Sequence, residues 1–133
     1  MKAPFLNVDL DIESTSKLGS LVVEMGKRVV VLHSGRVSKS KRNLLRLESA
    51  GEHNGPDATI HGLCKVVESL SPAARRVWDA ARKEFNVGHE LRRSERDSFF
   101  SLRSDTLARI AKLGAKLVVT YYRGESKKGV EPV

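Results

Sequence analysis

Residues 5–13, FLNVDLDIE, place Leu6, Val8, Leu10 and Ile12 on one parity and Asn7, Asp9, Asp11 and Glu13 on the other. Side chains of an extended chain alternate between two faces, so this pattern predicts a strand with one wet face. In STSKLGSLVVEMGKR the spacing changes to three and four, through Leu18, Leu21, Val22 and Met25. That predicts a short helix, with Ser14 or Ser16 as its cap and Gly26 as its stop. RVVVLHSG is a continuous β-branched run closed by Ser34-Gly35, which predicts a strand more central than the first. NLLRLES sets Leu45 and Leu47 against Arg46 and Glu48, a half-exposed strand expected to pair back as a hairpin across the loop SGRVSKSKRN.

Pro56 and Asp57 suit the first turn of a helix whose apolar stripe is Ile60, Leu63, Cys64, Val67 and Leu70. Ser71-Pro72 must stop or kink it, because proline has no donor and crowds the preceding turn. A restart with Val77, Trp78 and Ala81 inward gives a broken helical hairpin, or one kinked helix, from about Pro56 to Lys83. EFNVGHEL alternates again, with Phe85, Val87, His89 and Leu91 together. RRSERDS reads as a charged turn and FFSL as a short extended partner of the preceding strand. Leu107, Ile110 and Ala111 then mark a helix that Gly114 ends in the left-handed conformation, before a last strand over LVVTYY. Residues 124–133 show no apolar period and read as a flexible tail.

Strands with one polar face, interspersed with amphipathic helices, predict an α+β two-layer sandwich: a mixed or mainly antiparallel sheet of about five strands with helices on one face, ferredoxin-like in character. The 133-residue chain is long enough for one such domain, over residues 1–123. Few aromatics imply an aliphatic core. The single cysteine, Cys64, cannot form an internal disulfide and lies on a helix stripe, so it reads as a small buried hydrophobe in a reducing compartment. Asp9 interrupts the N-terminal apolar positions, which excludes a signal peptide and a membrane span; the expected location is cytoplasmic.

A net charge of +8 and a pI near 9.9 raise the question of nucleic acid. The basic residues come as pairs along the whole chain, and only Arg36, Lys39, Lys41 and Arg42 cluster locally, without an aromatic to stack a base. The leading reading is therefore a solubilising pattern, and weak polyanion binding through those four residues is the alternative.

Asp9, Asp11 and Glu13 form an acidic row that period two puts on one face, where a divalent cation could bridge them for phosphodiester chemistry. A wet strand face, paired across to Arg46, explains the same row without a metal. His33, His53, His61 and His89 lie in separate segments and lack helical ligand spacing. His33 and Ser34 are adjacent on a strand and point to opposite faces, a poor nucleophile pair. The glycines match no nucleotide-binding loop, and no cofactor is expected. Trp78 fits core packing better than an interface anchor, and one of Tyr121 and Tyr122 should be exposed.

The segment FFSLRSDTLARIAKLGAKLVVTYY, through Leu102, Leu107, Leu113, Gly114, Leu117 and Tyr121 or Tyr122, resembles the ending of small bacterial domains of immunity or interaction-module type. The LDIES start is compatible with the same group. The resemblance covers the C-terminal third, implies an interaction role without an assigned reaction, and transfers no functional residue. The expected function is a non-enzymatic protein-interaction module, immunity-like or regulatory, docking another protein through Asn7, Asp9, Asp11, Glu13, Arg46 and Glu48 or along an exposed edge strand. A homodimer, nucleic-acid binding through the basic loop and a metal-dependent enzyme on the acidic row remain the alternatives.

Overall fold

A computed structural model describes residues 5–37, 39–51, 53–91 and 99–123. In chain order these form β1 (Phe5–Ser14), α1 (Gly19–Met25), a 3₁₀ turn (Gly26–Arg28), β2 (Val29–Arg36), β3 (Asn43–Ser49), α2 (Gly55–Glu68), α3 (Pro72–Ala80), β4 (Arg82–Leu91), α4 (Ser104–Lys112) and β5 (Lys116–Arg123). The five strands make one mixed sheet in the order β2-β3-β1-β4-β5. All neighbours are antiparallel except β4 and β5, which run parallel around α4. Read from β4, the first four strands follow the order of a split β-α-β unit, the ferredoxin-like arrangement, and β5 extends it by one crossover.

The alternation in β1 decides the layers. Val8, Leu10 and Ile12 are buried, as are their neighbours Leu45, Leu47, Phe85 and Val87. Leu21, Met25, Ile60, Leu63, Val67, Trp78 and Ile110 cover them from the helices. The Trp78 indole donates to the Leu113 carbonyl at 2.9 Å, which satisfies its one polar atom inside the core. Across α2 and α4, Glu68 and Arg109 pair at the surface. Cys64 is fully buried, and burial pushes its thiol up to about 12, so it is inert packing.

Helix boundaries follow local chemistry. Pro56 stands in the first turn of α2, and Ser71 Oγ accepts from Ala74 N at 3.2 Å to cap α3, with Pro72 at its first position. The Ser71-Pro72 break thus yields two helices, and Lys83 already belongs to β4. Gly114 takes φ +73°, ending α4 as expected. Glu24 on α1 ties that helix to the start of α3: its carboxylate accepts from the Ser71 hydroxyl and from Ser71 N at 2.8 Å, and these two bonds, the hydroxyl's foremost, hold its pKa below the ordinary value.

Several expectations are corrected. β2 is an edge strand, with every residue after Val29 exposed, whereas β1 is central. A β-branched run reports strand propensity and is blind to the number of neighbours. Ser34-Gly35 does not end β2, which continues in register to Arg36 opposite Asn43. Ser14 is the last residue of β1, where its hydroxyl accepts from Ser16 N, and α1 has no side-chain cap. The buried positions of α4 are Thr106 and Ile110, while Leu107 and Ala111 face outward, a rotation of the expected stripe. Within FFSL no strand forms; Phe100 and Leu102 instead pack on the core from an irregular segment. Tyr121 and Tyr122 are both exposed. The charged turn RRSERDS and residues 124–133 lie outside the described residues.

Candidate functional site

The sheet's second face is open, and the pairing registers determine what it displays. Opposite the buried parity of β1 stand Asn7, Asp9, Asp11 and Glu13, and in register with them Arg46 on β3 and Arg82, Glu84 and Asn86 on β4. One row crosses all five strands. His33 is paired with Arg46, Arg46 with Asp11, Asp11 with Glu84, and Glu84 with Lys116. Each strand contributes one polar side chain to it, in the charge order cation, anion, anion, cation from Arg46 to Lys116.

Hydrogen bonds hold the middle of the row in place. Arg46 Nε donates to Asp11 Oδ1 at 2.8 Å and its Nη2 donates to Asp11 Oδ2 at 3.2 Å, a two-pronged pair that raises the guanidinium pKa further. The Asn86 amide donates to Asp11 Oδ2 at 3.2 Å and to Glu84 Oε2 at 3.0 Å, so one neutral donor separates two carboxylates on neighbouring strands. Asn7 donates to Asp9 at 3.0 Å. Partial burial raises the Asp9 carboxyl above the ordinary aspartate value, and Asp11 and Glu48 add repulsion that Arg46 only partly offsets. Beside the row, Asp11, Glu13, Arg46, Arg82, Glu84 and Lys116 border an open trough of about 800 Å³.

All six expected docking residues, Asn7, Asp9, Asp11, Glu13, Arg46 and Glu48, therefore share this face. The expected cross-strand partner of Arg46 is Asp11. Glu84, Asn86, Arg82 and Lys116 complete the surface without having been singled out, although the parity opposite Phe85 and Val87 already marks Glu84 and Asn86 as outward.

The remaining candidates are dispersed. Arg36, Lys39 and Lys41 are exposed around the β2–β3 turn, whereas Arg42 leans to Glu13 at 3.8 Å. Asp9, Asp11 and Glu13 do share a face, but Asp11 is already engaged by Arg46 and Asn86. Among the described residues, no three His, Cys, Asp or Glu side chains gather as a metal set. His89 is buried on the helix side, its ring 5.4 Å from those of Phe100 and Tyr121. His33 and Ser34 face opposite sides, next to Arg46 and Leu45 respectively. His53 bonds Ser49 at 3.0 Å beside a second cleft of about 400 Å³ that includes His61, Lys65 and Arg103. Asp57, His61 and Lys65 repeat at four-residue spacing along one side of α2, and only Arg103, just before α4, joins the cleft from a distant segment.

Comparison with known protein families, curated proteins and solved structures finds no match to this chain. No helix among the described residues is long and apolar enough to cross a membrane.

Proposed function

We propose that this chain is a non-enzymatic interaction module, immunity-like or regulatory, that docks a partner protein through the open sheet face around Asp9, Asp11, Glu13, Arg46 and Glu48. The observation that carries the reading is the polar row spanning all five strands, charged from Arg46 to Lys116 and fixed at its centre by the Arg46–Asp11 pair and the Asn86 bridge. Side chains already ordered before contact lose little freedom on binding, and patterned charge gives a partner register and a fast encounter. Protein interfaces of the non-obligate kind are about as polar as the surface around them, so the polarity of this face is compatible with docking. A reducing, cytoplasmic setting suits the single buried thiol, Cys64.

Photo-crosslinking from two positions tests the proposal: Glu48 on the open face and Ala73 on the exposed side of α3. In extract of the source cell, the expected result is one adduct of defined mass from Glu48 and none from Ala73. A variant carrying Asp9→Lys and Glu13→Lys should lose that adduct while remaining folded by circular dichroism. Equal adducts from both positions, or substrate turnover by the purified chain, would overturn it.

A further inference from the structure

From Lys27 to Leu47 the chain holds seven basic residues and no acidic one. Arg46 and Arg42 turn to Asp11 and Glu13. The other five flank the edge strand: Lys27 and Arg28 lie in the 3₁₀ turn before β2, Arg36 is its last residue, and Lys39 and Lys41 follow in the loop. The Arg28 guanidinium donates only to uncharged acceptors, the Glu24 and Met25 carbonyls and the Ser69 hydroxyl, which leaves its charge in place. Between these basic ends, Val30, Val31 and Leu32 are 43%, 40% and 46% exposed. Edge strands are ordinarily protected by charge along their length; here the charge is confined to the ends, with the aliphatic run Val30 to Leu32 and then His33, Ser34 and Gly35 between them.

We infer that the β2 edge accepts an extended segment of a partner protein, apolar in its centre and acidic at both ends, as a sixth strand. Strand addition satisfies the outward N–H and C=O groups of β2, while side chains set specificity. Arg28 and Arg36 lie roughly 26 Å apart at strand rise, which fits a segment of about eight residues. A second copy of the chain is a poor occupant. Antiparallel self-pairing brings Arg36 toward Arg28 of the other copy, and parallel pairing sets like charges side by side. Nucleic acid would satisfy the ends but would lay phosphates along three aliphatic side chains, and β2 has no Phe, Tyr or Trp on which a base could stack. The register break between Val31 and His33 roughens the edge against indiscriminate pairing, so the terminal charges do the selecting. This surface is distinct from the open face, and the two proposals succeed or fail separately.

The test uses the full chain and a labelled nine-residue peptide with two acidic residues at each end and alternating Val and Thr between them. Fluorescence anisotropy should show binding at least about tenfold tighter than for the same peptide with lysine ends. Amide shift changes should centre on β2, and the joint variant Lys27→Glu, Arg36→Glu, Lys39→Glu should reverse the preference between the peptides. Val31→Glu should remove binding with the fold retained by circular dichroism. Equal binding of both peptides, shift changes centred on the open face, a salt-stable dimer through β2, or tighter binding of a single-stranded oligonucleotide than of the acidic peptide would each overturn the inference. Asp9→Lys should leave peptide binding intact, which separates this result from the fate of the open-face reading.

Discussion

Asp9 and Asp11 stand two residues apart on the same face of one strand, yet their surroundings set them apart. Asp11 is met by the Arg46 fork and the Asn86 amide, whereas Asp9 is half desolvated next to two other carboxylates. A folded value raised above the unfolded one means that the folded chain holds the Asp9 proton more tightly. Stability therefore falls as pH rises from the ordinary aspartate value, about 3.9, through the folded value, and stays reduced above it. Asp9→Asn is expected to raise the melting temperature at pH 7, and the gain should shrink toward zero as pH is lowered below about 3.5. A lower melting temperature for Asp9→Asn at pH 7 would contradict this. Within the chain Arg46 and Asn7 offset this only in part, so under the proposed docking role a partner's cation would supply further neutralisation of Asp9.

At the scale of elements, the junction between α4 and β5 depends on one backbone conformation. Gly114 has φ +73°, and a Cβ there would meet only the flexible end of Lys83 at 3.5 Å, so the obstacle to a side chain is the left-handed backbone rather than space. Gly114→Ala should therefore cost about 1–2 kcal/mol, measured by urea unfolding with an unchanged denaturant slope. Gly19 opens α1 with nothing within 4 Å of its Cβ position and ordinary φ, so Gly19→Ala should be neutral or stabilising by up to about 1 kcal/mol. The pair separates backbone strain from a general loss of glycine. The same junction matters to the sheet because β5 enters parallel to β4 immediately after the turn and brings Lys116 beside Glu84 on the open face.

Across the whole molecule the charge is unevenly placed. Seven of the 24 basic residues and none of the 16 acidic ones fall between Lys27 and Leu47, leaving 17 against 16 over the remaining chain. Polyanion affinity should follow that segment. Changing Lys27, Arg36, Lys39 and Lys41 to Gln is expected to lower the salt needed to elute the protein from a heparin column well below that for a variant lacking Arg75, Arg76, Arg82 and Lys112, although both lose four charges. Equal shifts would mean that total charge alone governs such binding. The amino-acid order by itself determined most of the elements and the wet and dry sides of β1, β3, β4 and α2, because periods of two and of three to four are written residue by residue: the acidic row of β1, the stripe of α2, the caps at Ser71 and Gly114. Only the tertiary structure decided which strand stands at the edge, that α4 turns Thr106 rather than Leu107 inward, and that His33, Arg46, Asp11, Glu84 and Lys116 form one row. Strand order and register come from contacts between segments far apart in the chain, and local propensity carries no information about those contacts.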